Sequence, residues 1–319
     1  MTYTRDTNAA NEQDATVTVS GVQIACRINP PAGNPLARLL LLPGSLYSDV
    51  DGNYPAMGMH PHAYADLARQ LAARGFAVLR MAKIGPGTGS LTVDADAAAA
   101  HGDFGMRVTV AEAGLDLLLQ TADRGRVIVA GHSEGAKVAN LLAQGSSATR
   151  IDGIVSLSGA AEHLLDLLRH QVSGMAPPGT TPDLRVFDRT VAAIRTGAAL
   201  PPEASTDPLS AMMAGMPEAA HHYLRSVDAI DPLAEIARVR QPVLIVHGGR
   251  DESVPFAHAE RLRAARGAMP TETAFFPALT HFYKHAAEGL PPMQAMALDN
   301  ESDPAVADAI VGWVARLSG

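Results

Sequence analysis

Five residues, Gly131-His132-Ser133-Glu134-Gly135, restrict the fold more than any other part of this chain. They follow the apolar run Arg126-Val127-Ile128-Val129-Ala130 and open the small-residue stretch from Ala136 to Ala143, which has helical spacing. The pattern predicts a strand, a sharp turn and a helix. Glycine is needed on both sides of the serine because a Cβ at either place would clash in so tight a turn. In that turn the Ser133 hydroxyl projects from the sheet. The backbone N–H of Glu134 faces the same space at a helix N-terminus, where the dipole favours developing negative charge. Ser133 is therefore the candidate nucleophile and the Glu134 N–H a candidate oxyanion donor.

The rest of the chain supplies the strands and helices such a turn requires. Thr16-Val17-Thr18-Val19 and the run from Val22 to Ile28 alternate around Ser20-Gly21, as an antiparallel hairpin does. Leu39-Leu40-Leu41-Leu42 is continuously apolar, the mark of a strand buried on both faces. Further strands are expected at Phe76-Ala77-Val78-Leu79, from Ile151 to Leu157, from Pro242 to His247 and around Phe275-Phe276. Between them lie helical patterns from Ala63 to Arg74, closed by Gly75, and through Val108, Ala111, Leu115, Leu118 and Leu119. Val306, Ile310, Trp313, Val314 and Leu317 mark one face of a last helix, with Ser302 as its expected N-cap and Pro304 in its first turn. This interleaving predicts an α/β fold, a mostly parallel central sheet with helices on both faces.

One region breaks the rhythm. From Ser158 to about Asp228 no strand signal occurs, and the stretch carries Pro177-Pro178-Gly179 and Pro201-Pro202. It reads as a helical lid insertion, residues 160–228, over one end of a core made of residues 15–159 and 229–319, with 1–14 as a flexible N-terminus. Methionine suits a plastic apolar pocket. Met175, Met212, Met213 and Met216 fall in this insertion, where packing of lid against core is an equal reading.

Composition excludes several function classes. The 319 residues, 47% hydrophobic and 18% charged, are enough to bury a sizeable core. A net charge of −8 without a basic tract argues against nucleic acid. The single cysteine, Cys26, excludes an internal disulfide framework and a cysteine-based zinc cluster. No run reaches the roughly 18 apolar residues of a membrane span. The polar start from Met1 to Asp14 lacks the apolar core of a signal peptide, so a cytoplasmic location is expected.

A serine hydroxyl needs a base, and the base needs an orienting acid. After this kind of elbow the chain order is serine, acid, histidine. Val243-Leu244-Ile245-Val246-His247-Gly248-Gly249-Arg250-Asp251 is a strand, a glycine turn and a carboxylate, which makes Asp251 the candidate acid, with Glu252 and Asp231 as rivals. Leu279-Thr280-His281-Phe282-Tyr283-Lys284-His285 offers His281 as base and His285 as its alternative. A second oxyanion donor belongs in the loop Leu42-Pro43-Gly44-Ser45-Leu46, with the Ser45 N–H preferred and Leu46 as the alternative. Leu46, His132, Met212 and Met213 are the candidate substrate-contacting residues.

Gly131 to Gly135, Asp251 and His281 together resemble the serine α/β-hydrolase superfamily. More narrowly, the chain is similar to bacterial α/β-hydrolases of the esterase and serine-aminopeptidase-like group. The resemblance rests also on Gly44-Ser45, on Asp49-Val50-Asp51-Gly52-Asn53, on Leu67-Ala68, Leu71-Ala72 and Gly75, and on Asp231-Pro232. It spans residues 36–317 in outline and is weakest from Ala160 to Val227. The group usually has His-Gly where this chain has Pro43-Gly44, and Asp-x-Arg-Gly-x-Gly where it has Ala82-Lys83-Ile84-Gly85-Pro86-Gly87. The resemblance implies hydrolysis of an ester, amide or thioester through an acyl-enzyme. A small-molecule carboxylic ester with an apolar acyl or alkyl group is the first expectation, with no metal or cofactor, and a homodimer is left open. Acyl transfer, C–C cleavage or lyase chemistry with the same triad, and a ligand receptor on a hydrolase fold, are the alternatives.

Four other signals are discounted. Asp49-Val50-Asp51-Gly52-Asn53 reads as a hydrogen-bonded turn, because His60 stands where a calcium loop needs its bidentate Glu. His60-Pro61-His62 and His221-His222 lack metal-site spacing and read as solvated or locally bonded. Gly85-Pro86-Gly87-Thr88-Gly89-Ser90 lacks the Gly-Lys-Ser/Thr ending of a phosphate loop. Lys137 is expected at the surface.

Overall fold

Strands β1 (Gln13–Val19) and β2 (Val22–Asn29) pair antiparallel around Ser20 and Gly21, both at positive φ, so the expected hairpin forms. The computed structural model describes residues 11–31, 33–84, 103–121, 124–174 and 181–317. Residues 1–10, the glycine-rich run from Gly85 to Ser90, Met175 and Pro177-Pro178-Gly179 lie outside the described residues. After the hairpin the chain alternates: β3 (Ala37–Leu42), α1 (Ala63–Ala72), β4 (Phe76–Met81), α2 (Phe104–Thr121), β5 (Arg126–His132), α3 (Glu134–Leu142) and β6 (Gly153–Leu157). Helices α4 (Leu164–Gly174), α5 (Arg185–Thr196), α6 (Ala211–Ala214) and α7 (Glu218–Asp228) then intervene before the next strand. The chain ends with α8 (Pro232–Arg238), β7 (Val243–Gly248), α9 (Ala257–Ala265), β8 (Thr271–Phe276), α10 (Pro292–Met296) and α11 (Ala305–Arg316).

One eight-stranded sheet runs in the order β1-β2-β4-β3-β5-β6-β7-β8, parallel from β4 to β8. Alternate residues of its strands feed opposite cores, as a period of two requires. Leu40, Leu42, Val129 and Ile154 pack with Leu115 and Leu118 of α2 and Val138 and Leu142 of α3. Leu39, Leu41, Ile128, Ala130 and Val155 pack with Leu67 and Leu71 of α1 and Ile310 and Trp313 of α11 on the other face. Both faces are covered, which is why the central strands read as unbroken apolar runs. The segment between β6 and β7 has a small core of its own: Leu165, Phe187, Val191, Ile194 and Met213. Among the described residues no helix is long and apolar enough to cross a membrane.

Two local expectations are corrected. Ser302 does not cap the last helix; its hydroxyl donates to Phe282 O at 2.9 Å, and the Asp303 carboxylate accepts from the Ala305 N–H at 2.8 Å instead. Lys137 is not at the surface but 4% exposed, because its helix lies between the sheet and α8. The Asp49 turn forms as expected, its carboxylate accepting from the Asp51 and Asn53 N–H groups at 2.9 and 2.8 Å.

A charged cluster fastens the hairpin to the rest. Glu12 accepts from Arg80 at 2.9 Å, Arg69 at 2.8 Å and Asn29 at 3.0 Å. Burial raises its pKa, but the Arg80 guanidinium and these bonds prevail and hold it at about 2, against 4.5 for a free side chain. Between those two values the unfolded chain binds a proton that the folded chain does not. The Glu12 contribution is therefore present above pH 4.5 and lost as the pH falls toward about 2. Glu12→Gln should accordingly flatten the fall of melting temperature across that acid window, read by circular dichroism at stepped pH.

Candidate active site

The carboxyl ends of the parallel strands meet at one edge, where open α/β sheets place their sites. At the end of β5 the chain turns at Ser133, which holds φ +53° and ψ −118°. The Ser133 N–H donates to Leu157 O of β6 at 2.7 Å. A Cβ on Gly131 would collide with the Gly135 carbonyl, and one on Gly135 would stand 2.6 Å from Leu42 O of β3. Gly44 lies so close beneath that a Cβ there would be 3.2 Å from the Ser133 Cβ. The loop after β3 is thus pressed against the serine.

Asp251 and His281 are brought together by a second close approach. A Cβ on Gly249 would stand 2.6 Å from Pro277 O, so the chain after β8 runs directly along the turn after β7. The Gly249 and Arg250 N–H groups donate to Phe276 O and Leu279 O at 2.8 and 2.9 Å. There His281 Nδ1 donates to Asp251 Oδ2 at 2.8 Å. The other carboxylate oxygen accepts from the Val254 N–H at 2.8 Å. Burial raises the Asp251 pKa, yet His281 and these bonds hold it below the usual carboxylate range. The rivals stand elsewhere. Asp231 caps α8, accepting from the Leu233 and Ala234 N–H groups; Glu252 is exposed; His285 bonds to Asp303 at 2.7 Å.

His132 faces inward, under the serine. Its Nε2 donates to His281 O at 3.1 Å, and Nδ1 accepts from the Tyr64 hydroxyl at 3.2 Å. That hydroxyl in turn accepts the Gly44 N–H at 2.8 Å. Burial first, then the neighbouring His281, push the His132 pKa down to about 3, so the ring stays neutral. The Gly44 N–H is therefore already engaged. The turn and loop bonds among the described residues take up neither the Ser45 nor the Glu134 N–H. Leu46 is 44% exposed at φ +64°, Met212 is 72% exposed, and Met213 is packed inside the small core of the insertion.

Sequence reasoning missed the side chain of Glu134. It is buried, and Arg107 Nη1, Lys83 Nζ at 3.1 Å and the Tyr223 hydroxyl at 2.7 Å all donate to its Oε1. Ser45 Oγ donates to Oε2 at 3.3 Å. Burial raises the Glu134 pKa, but the two cations prevail and hold it at about 2. Lys83, buried and sharing that carboxylate with Arg107, is pushed down to about 8. The signal available was a charged residue at a turn whose neighbours must all be buried. His221 also bonds locally, to Met213 O at 2.8 Å.

A mostly parallel sheet flanked by helices, with a serine on a strained strand-to-helix turn, is the α/β-hydrolase fold. Est1E from Butyrivibrio proteoclasticus superposes with a TM-score of 0.58 at 17% identity, over 96% of this chain and 98% of that one. Proline iminopeptidase from Mycobacterium smegmatis gives 0.58 at 16% identity, with the same coverage of 96% and 98%. A thermostable carboxyl esterase from Bacillus coagulans gives 0.56 at 14% identity, again over 96% and 98%. No curated protein matches the sequence. The sequence model for serine aminopeptidase, S33, matches residues 55–283, and the chain belongs to that family of α/β-hydrolases. The matched span includes Ser133, Asp251 and His281.

The elbow makes a sharp stability test. Gly135→Ala should cost about 1–3 kcal/mol or more, since the added methyl meets backbone rather than a movable side chain. A urea midpoint unchanged from wild type would show that the turn is not so constrained.

Proposed function

We propose that this protein is a serine hydrolase that cleaves a carboxylic ester of small to medium size through an acyl-enzyme. The observation that carries the reading is the Asp251–His281 hydrogen bond at 2.8 Å, with the His281 ring 4.6 Å from that of His132, the residue before a serine held at φ +53°. Ser133 Oγ attacks the carbonyl carbon while His281 Nε2 takes its proton, and the carbonyl π electrons move onto oxygen. The resulting oxyanion accepts from the Ser45 and Glu134 N–H groups. Asp251 holds the imidazole tautomer and balances its cation. The carbonyl re-forms as the C–O bond to the alcohol breaks, and His281 delivers the proton to that leaving oxygen. Water then attacks the acyl carbon with His281 as base, releasing the acid and restoring Ser133. Helices α4 to α7 form a lid whose apolar residues, with Leu46, select the acyl or alkyl group. The protein acts in the cytoplasm on a small-molecule substrate and needs no cofactor.

A second reading, amide hydrolysis, is favoured by the family's description as serine aminopeptidases and by the proline iminopeptidase among the similar structures. One experiment separates the two: p-nitrophenyl esters of increasing chain length beside amino-acid p-nitroanilides, wild type against Ser133→Ala, both treated with a fluorophosphonate. Ester turnover and labelling should vanish together in the mutant, with kcat lower on the order of 10⁴-fold or more. Turnover of the anilides alone would establish the amide reading. Labelling that persists in Ser133→Ala would remove Ser133 as the nucleophile.

A further inference from the structure

Glu134 puts a carboxylate where negative charge is least welcome. It follows Ser133 directly, and a bare anion there would oppose an oxyanion developing at the same turn. Its side chain is nevertheless buried, and its partners come from four separate parts of the chain. Ser45 lies in the loop after β3, Lys83 follows β4, Arg107 is on α2 and Tyr223 is on α7 of the insertion. Arg107 also reaches past Glu134 to donate to Pro43 O at 2.6 Å and Gly44 O at 3.4 Å. Every carbonyl and hydroxyl of Pro43-Gly44-Ser45 named here is thus tied, directly or through Arg107, to one carboxylate. α7 is itself seated against the start of α2, where the Phe104 N–H donates to Ser226 Oγ at 2.9 Å.

We propose that Glu134 is a positioning residue that sets the loop carrying the Ser45 N–H, and that the Tyr223 hydroxyl makes this setting depend on the insertion being seated against the elbow. The inference rests on the reading of Ser133 as nucleophile and adds a route by which the insertion acts on the reaction. Ion clusters of this kind are poor devices for stability alone, because apolar replacements of similar volume often serve as well. What an apolar replacement would not supply is a fixed anchor for two loop carbonyls and a hydroxyl. The two cations exceed the carboxylate by one charge and leave the cluster net positive toward the oxyanion. Movement of α7 away from the elbow would remove one donor from Oε1 and leave the cluster less constrained.

The test compares Tyr223→Phe, Glu134→Gln and the double variant Glu134→Gln/Lys83→Met, which restores the charge balance of the cluster. For each, kcat and KM on the best p-nitrophenyl ester, the rate of fluorophosphonate labelling of Ser133 and the melting temperature are measured. Tyr223→Phe should lose only a few degrees of melting temperature and keep its KM, while kcat and the labelling rate fall roughly tenfold, the scale of one charge-assisted hydrogen bond. The double variant should recover the melting temperature lost in Glu134→Gln, with kcat still down on the order of 100-fold. Wild-type kcat and labelling in Tyr223→Phe, or recovery of kcat together with stability in the double variant, would reduce the cluster to packing and overturn the proposal. Loss of the underlying reading is seen separately, as labelling that survives Ser133→Ala.

Discussion

Ser133 holds a backbone conformation that side chains avoid, and the arrangement around it exists to keep it there. Strain of this kind costs of order 1–3 kcal/mol and persists only where the surroundings over-determine it. Here β6 supplies the acceptor for the Ser133 N–H, β3 supplies the carbonyl against which Gly135 fits, and the following loop brings Gly44 against the serine Cβ. The order β3-β5-β6 in the sheet is therefore a requirement of the turn as well as a way to bury Leu39 to Leu42. A strand order that separated β3 from β5 would leave Gly135 without the carbonyl it was selected to accommodate.

The groups next to that turn have fixed charge near neutrality. His132 stays uncharged because it is buried beside His281, Glu134 stays ionised because two cations face it, and Asp251 stays ionised because His281 and a backbone N–H do the same. His132 also joins two loops mechanically. Through Tyr64 it reaches the Gly44 N–H, and through Nε2 it reaches the His281 carbonyl. The loop proposed to hold the oxyanion and the loop that carries the proposed base are thus linked under Ser133 by one neutral ring. A charged ring in that position would place a like charge against the imidazolium of the proposed mechanism.

The sheet was largely legible because its signals are local. Continuous apolar runs, a glycine-flanked serine and a Ser-Gly hairpin turn each report their own backbone. Asp251 and His281 were legible through chain order and an adjacent strand. What brings these two together, rather than Glu252, Asp231 or His285, is the approach of Gly249 to Pro277, a tertiary contact without a sequence signature. Ser302 misled for a similar reason: a serine before a proline resembles a cap, but its hydroxyl finds Phe282 O and the next residue does the capping. Lys137 misled because charge usually means surface. On a helix wedged between the sheet and its neighbours a charge must be paired instead, and the partners of Glu134 come from Lys83, Arg107 and Tyr223, all remote in sequence.

The insertion is built apart from the turn. Its own core of Leu165, Phe187, Val191, Ile194 and Met213 lets its outer residues change while its helices stay packed. Met213 serves that core, while Met212 beside it is exposed. Leu164 and Val227 anchor the two ends of the insertion in the main core, where apolar packing tolerates few alternatives. Tyr223 anchors it at the elbow by a directional bond to a charge. Near Ser133 the insertion is thus held by the Tyr223 hydroxyl and, on the same helix, by Ser226 Oγ accepting the Phe104 N–H, with Tyr223 and Leu224 packed against the main core.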